Sequence, residues 1–150
     1  MGQDWKPLSP RNVTVSGTRV LIDFHVPCPP LMFDKPYVAL AATDYASKGF
    51  RVVDSAGSIA ITSVKIVADT IVELLLDRAP STNTRVQYAT QTASQGNGCL
   101  RDSDPAVAMD NYEYEAGRGQ YAGANIAALI NKPYPLYNWC IAFSLTPTEI

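Results

Sequence analysis

The chain has 150 residues, 47% of them hydrophobic and 17% charged. That is the length of one domain, enough to take roughly 70% of the unfolded surface out of water without a disulfide or metal staple. Twelve Lys and Arg against fourteen Asp and Glu leave a net charge of −2, so there is no field to gather nucleic acid or an anionic membrane, and neither is expected as a partner.

Residues 1–10 read as an extended N-terminal arm whose one large apolar anchor is Trp5, a segment too short to fold alone and suited to clip onto a neighbour. Residues 11–145 read as a single domain and 146–150 as a C-terminal tail. The runs Asn12 to Val15 and Arg19 to Val26 flank Ser16-Gly17-Thr18, a Gly-centred break between β-branched segments that predicts a hairpin. Pro27, Pro29 and Pro30 then remove too many ladder donors for a central strand, so the chain must change sheets there. Leu31, Met32 and Phe33 are expected to tuck beneath that crossing. An extended piece at Tyr37 to Ala41 and a turn over Asp44 to Gly49 precede a strand at Phe50 to Val53, which Asp54 to Gly57 closes. Two apolar runs, Ile59 to Ile66 and Ile71 to Leu76, flank Ala68-Asp69 as a further hairpin. After a turn at Ala79 to Asn83, Arg85 to Ala89 alternates polar with apolar residues.

From Thr90 to Gly119 the periodicity fades into Gly, Ser, Gln, Asn and Asp, a segment long enough to be functional rather than a plain connector. Ile126, Leu129 and Ile130 share a face at helical spacing and predict a short helix over Gly123 to Ile130. Leu136 to Leu145 alternates with Trp139, Ile141, Phe143 and Leu145 on one face and is expected to be the closing strand. Strands recurring about every ten residues without long helices predict an all-β fold, an immunoglobulin-like or jelly-roll-like antiparallel β-sandwich with a long late loop and one short helix.

The residues argue against covalent chemistry. Cys28, Cys99 and Cys140 lack C-x-x-C spacing and read as buried free thiols, the usage of a chain that folds in a reducing cytosol. His25 is the single histidine and reads as structural, since no second imidazole stands at metal-ligand spacing. Neither Ser16-Gly17 nor Gly57-Ser58 completes a nucleophile elbow, and Gly96-Asn97-Gly98 lacks the strand-to-helix setting of a phosphate cradle. Asp102, Asp104, Asp110, Glu113 and Glu115 form an acidic run that does not match a calcium loop and reads as solvated. No catalytic residue, metal or cofactor is expected. Six aromatic residues, Tyr112, Tyr114, Tyr121, Tyr134, Tyr137 and Trp139, crowd the last third of the chain. Trp139 is expected to point inward. Tyr112 and Tyr114 share one side of a Tyr-Glu-Tyr segment and, with Tyr121 and Trp5, are candidate binding residues, with packing an equal alternative for the pair.

Several segments together resemble a known module. They are the Pro-Leu-Ser-Pro opening with Val13 to Val20, Val26-Pro-Cys-Pro-Pro-Leu-Met-Phe-Asp34, Gly49-Phe-Arg-Val-Val-Asp54, Asp69-Thr-Ile-Val-Glu-Leu-Leu-Leu-Asp-Arg-Ala-Pro80, Gly98-Cys-Leu-Arg-Asp-Ser-Asp104 and Tyr137-Asn-Trp-Cys-Ile-Ala-Phe-Ser144. The pattern is similar to a β-sandwich accessory module of tailed-bacteriophage and prophage virion proteins, one also appended to phage esterase-like and tail-spike polypeptides. The central segment is also similar to bacterial immunoglobulin-like adhesion domains. The resemblance implies a non-enzymatic virion structural protein, folded in the host cytoplasm and carried on the capsid exterior as decoration or on the tail. The start at Met1 favours the free-standing decoration form. Its expected partners are other virion proteins of capsid or tail, with self-association into a homo-oligomer compatible with the role. The alternative is a carbohydrate-binding module that recognises a bacterial surface glycan through Tyr112, Tyr114 and neighbouring amides.

Overall fold

The computed structural model describes residues 5–35, 46–94, 96–111 and 129–150. Period-2 alternation of apolar residues sets its strands. β1 (Ser9–Ser16) and β2 (Arg19–His25) form the first hairpin, with Ser16 opposite Arg19. Gly17, first of the two loop residues, has a φ of 57°, a conformation in which a Cβ would be strained, which is why glycine stands there. β3 (Met32–Phe33) follows the proline run, then β4 (Phe50–Asp54), β5 (Gly57–Ile59), β6 (Ile61–Ala68), β7 (Ile71–Leu76) and β8 (Arg85–Tyr88). The late segment holds one helical turn, α1 (Gln91–Ser94), and the short strands β9 (Leu100–Arg101), β10 (Val107–Asn111) and β11 (Pro133–Pro135). β12 (Phe143–Leu145) and β13 (Thr148–Glu149) close the order.

Two sheets make the sandwich. One has the order β13-β1-β2-β7-β6 and the other β12-β8-β4-β5. With β1, β2, β4, β5, β6, β7, β8 and β12 taken as strands A, B, C, C′, D, E, F and G, these are the A-B-E-D and G-F-C-C′ sheets of an immunoglobulin-type sandwich. The jelly-roll alternative does not have this order. The inward side chains of the first sheet, among them Val20, Ile22, Phe24, Val72 and Leu74, form one buried cluster with Phe50, Val52, Val86, Tyr88 and Phe143 of the second. Phe24 and Phe143 meet edge to face across the sheets at 6.1 Å. Each such side chain removed from water contributes about 1.5–3 kcal/mol, so this cluster is what holds the sheets together.

One end of the sandwich gathers the unusual connections. Phe50 and Phe143 both lie opposite Tyr88, so β4 begins and β8 ends at that end. The chain between β2 and β4 and the chain between β8 and β12 therefore leave from the same place, and they pair with each other through β3 and β9. Ser9 lies opposite His25, which brings the N-terminal arm out here too. The β6–β7 turn joins them, since the Phe24 and Leu31 N–H groups donate to the Thr70 and Asp69 carbonyls.

Five expectations change. The run Ile59 to Ile66 is not one strand: it breaks at Ala60, leaving Ile59 in β5 of the second sheet and Ile61 in β6 of the first. Strand β1 starts inside the expected arm, at Ser9, and the expected tail carries β13, which runs parallel to β1 with Thr148 opposite Thr14. Leu136 to Leu145 is not one strand: only Phe143–Leu145 joins the sheet, and Ile141 is 46% exposed. The reason lies in its hydrogen bonds, because the Leu136, Cys140 and Ile141 N–H groups donate to Ala106, Leu100 and Leu8, which draws the segment across the end of the sandwich instead of along the sheet edge. Leu31, just ahead of β3, is buried as expected, but Met32 at the start of β3 points outward and is 42% exposed. Asp102 does not belong to a solvated loop; it is fully buried. The extended piece at Tyr37 to Ala41 lies outside the described residues, as does the predicted helix save for Leu129 and Ile130, which form a turn and a bridge.

Candidate functional site

Tyr88 anchors the end where the connections meet. It is the last residue of β8, and the alternation that buries Val86 buries it as well. Its ring packs against Phe50 and Phe143, with centroids at 4.8 and 5.7 Å. Its hydroxyl accepts the N–H groups of Cys99 and Leu100, each at 2.8 Å. A late segment without hydrophobic periodicity is thus tied to the core by this phenol, together with the buried Leu100 side chain and the β3–β9 pairing. Gly98 lies so close that a Cβ there would sit 2.5 Å from the Tyr88 hydroxyl oxygen and 2.9 Å from Cζ, so only glycine fits. Burial pushes the Tyr88 phenol well above the ordinary tyrosine range.

Arg101 and Asp102 extend this anchor into a polar knot. The Arg101 guanidinium donates to Asp34 Oδ2 from Nε and to the Asp102 carbonyl from Nη1, both at 2.6 Å. Its flat face stacks over the Tyr137 ring at 3.7 Å, a cation–π contact. Asp102 accepts from the Asn138 backbone N–H at 2.9 Å and from Asn138 Nδ2 at 2.7 Å, and its own N–H donates back to the Asn138 carbonyl. A carboxylate is tolerated at full burial because its oxygens have these donors. The knot fixes residues 137–140 against β9, and Trp139 bridges to Arg101.

Between the knot and the sheet lies a cleft of about 340 Å³. Tyr88, Leu100 and Ala142 are among the residues lining it, Gly96 to Gly98 form one side, and Tyr134, Trp139 and Cys140 form another. Trp139 therefore does not pack wholly into the core as its alternation predicts; it is partly exposed at the cleft. No charged side chain among the described residues lines this space. Burial pushes the Cys140 thiol up, and it pushes Cys99 up to about 12, so both remain neutral thiols, poor as nucleophiles at physiological pH.

The same end exposes apolar side chains. Trp5 on the arm is 71% exposed, and on the two-stranded β10–β11 ribbon Met109 is fully exposed, with Val107 and Leu136 beside it about half exposed. Of the candidate binding residues, Trp5 is thus placed at this end, while Tyr112, Tyr114 and Tyr121 lie outside the described residues. His25 Nδ1 accepts from Arg11 Nη2 at 3.2 Å, and among the described residues no group of three His, Cys, Asp or Glu side chains could hold a metal ion. No helix of the described residues is long and apolar enough to cross a membrane.

Sequence reasoning missed Tyr88, Arg101, Asp102 and Asn138 as organisers of the site. Their contacts join positions far apart in the chain, 36 residues in the case of Asp102 and Asn138, and no periodicity marks such pairs. The one available signal was the glycine of Gly98-Cys99-Leu100, which marks a close approach of backbone to another group. Comparison of the chain with protein-family models, with characterised proteins and with solved structures gave no match.

Proposed function

We propose that this chain is a non-enzymatic structural protein of a tailed-bacteriophage virion, held on the capsid exterior or tail, that docks on other virion proteins through the end of the sandwich bearing the arm and the late segment. The observation that carries the docking surface is the concentration of exposed apolar side chains there, Trp5, Val107, Met109 and Leu136, on the stretch of arm ahead of the buried Leu8 and on or beside a ribbon whose residues are not part of the buried cluster. Aromatic and Met side chains left in water in this way are typical anchors of protein interfaces. The virion setting comes from the sequence resemblance. Fold-level analogy agrees with the choice of surface, because in immunoglobulin variable domains the B–C and F–G connections of one end form the binding face. Many copies on a lattice would hold even when each contact is modest.

The test is the location of the polypeptide: quantitative mass spectrometry of purified particles should find it at a fixed copy number, and Trp5→Ala together with Met109→Ser should lower that number. Unchanged occupancy in the double variant would remove docking at this end, and particles lacking the polypeptide would remove the virion role. A second reading, recognition of a bacterial surface glycan, is favoured by one observation, the uncharged aromatic cleft at Tyr134 and Trp139.

A further inference from the structure

We infer that the cleft beside Tyr88 is a saccharide site that takes a neutral sugar ring against Trp139 and Tyr134. This rests on the glycan reading and gives it a location different from the Tyr112 and Tyr114 pair.

Three observations point to that ligand class. The first is the lining, which combines two aromatic side chains with the Gly96 to Gly98 backbone and the Asn97 amide and holds no charged side chain among the described residues. Among these described residues a phosphate, carboxylate or ammonium ligand would find no counter-charge to replace its hydration, whereas a neutral polyol offers apolar C–H faces to rings and hydroxyls to amides. The second is size: about 340 Å³ lies at the low end of the roughly 300–1,000 Å³ span of ligand pockets, the range for one or two rings rather than a long chain. The third is access: Tyr134 is 37% exposed and Trp139 partly exposed, so solvent reaches both rings, while Tyr88 is fully buried and only closes the floor behind them.

The walls are also held in place before any ligand arrives. The Cys140 N–H donates to the Leu100 carbonyl, and Asp102 clamps Asn138, so the backbone on both sides of Trp139 is fixed to β9. A wall set in advance lowers the ordering cost of binding.

The chain has two tryptophans, Trp5 and Trp139, so Trp5→Phe leaves Trp139 as the sole reporter in the full-length protein. That protein is titrated with a panel of neutral mono- to tetrasaccharides of glucose, galactose, mannose and N-acetylglucosamine, read by Trp139 emission and by calorimetry. At least one sugar should give a saturable change in emission with one site per chain. Trp139→Ala and Tyr134→Ala, read by calorimetry with melting temperature as a check on folding, should weaken it about tenfold or more, and Trp139→Phe should restore most of the loss. Trp139 is partly buried and Tyr134 is exposed, so the Tyr134 variant decides if Trp139→Ala fails to fold. Calorimetric binding that leaves Trp139 emission unchanged and survives both alanine variants would overturn the cleft and leave the glycan reading standing. Silence across the panel and across polysaccharide from the host surface would overturn both. Tighter binding of sialylated or phosphorylated sugars than of neutral ones would overturn the ligand class.

Discussion

Replacing Gly98 by alanine is the sharpest perturbation of the end that carries the site. The new Cβ would lie 2.5 Å from the Tyr88 hydroxyl oxygen and 2.9 Å from Cζ, well inside contact distance. The ring cannot swing away freely, because Phe50 and Phe143 pack against it and its hydroxyl holds the Cys99 and Leu100 N–H groups at 2.8 Å. Overpacking of this kind costs about 1–3 kcal/mol. If the ring shifts enough to break either hydrogen bond, a buried N–H left unpaired adds about 1–3 kcal/mol. Gly98→Ala should therefore destabilise by roughly 2–4 kcal/mol, which for a chain of this size lowers the melting temperature by about 2–4 °C per kcal/mol. Tyr88→Phe should cost a similar amount for a different reason, since it strands both N–H groups while it clears the closest clash. The two changes touch the same atoms, so in a double-mutant cycle read by urea denaturation the double variant should lose less than the sum, by about 1 kcal/mol or more. Strict additivity, or a Gly98→Ala variant within about 0.5 kcal/mol of the parent, would show that the phenol does not pin this segment.

Asp102→Ala removes the acceptor for the Asn138 backbone and side-chain donors and should cost roughly 2–4 kcal/mol in urea denaturation; a loss under about 0.5 kcal/mol would mean that water replaces the carboxylate and the knot is not structural. Tyr88, Cys99 and Cys140 are all held protonated above their ordinary values by burial. The folded state therefore keeps protons that the unfolded chain gives up once the pH passes about 9, so the stability they support is complete below that pH and falls above it, by about 1.4 kcal/mol per pH unit for each group. Urea midpoints between pH 8 and 11 should decline, and Cys99→Ala should flatten the slope; a midpoint independent of pH would contradict the burial of these groups. At the opposite end, the Arg78 guanidinium and then the Ser81 N–H hold the Asp54 carboxyl well below the usual carboxylate range. Its contribution is present above the unfolded value of 3.8 and lost as the pH falls further, so Asp54→Asn should lower stability at pH 7 and make the acid unfolding curve shallower below pH 4; parallel curves for parent and variant would rule the ion pair out as a source of acid sensitivity.

The hairpin at Gly17, the strands β4, β6, β7 and β8 and the all-β class were legible in the chain because period-2 alternation and turn chemistry are local properties. Val20, Ile22 and Phe24 could be assigned to one face from their spacing, and Gly17 to a turn from its neighbours, with no knowledge of the rest of the fold. The sheet order was not legible, since pairing β2 with β7 and β4 with β8 joins segments whose sequences say nothing of each other. The late segment misled for the same reason. Asp102 looks like one carboxylate among several until Asn138 is brought to it, and Leu136 to Leu145 alternates like a strand although its N–H groups are taken by Ala106, Leu100 and Leu8. Alternation reports which side of a chain meets apolar surroundings; it does not report which backbone carbonyl will be in reach. That choice belongs to the tertiary structure, and it is the choice that brought Trp139 to the edge of a cleft instead of sealing it in the core.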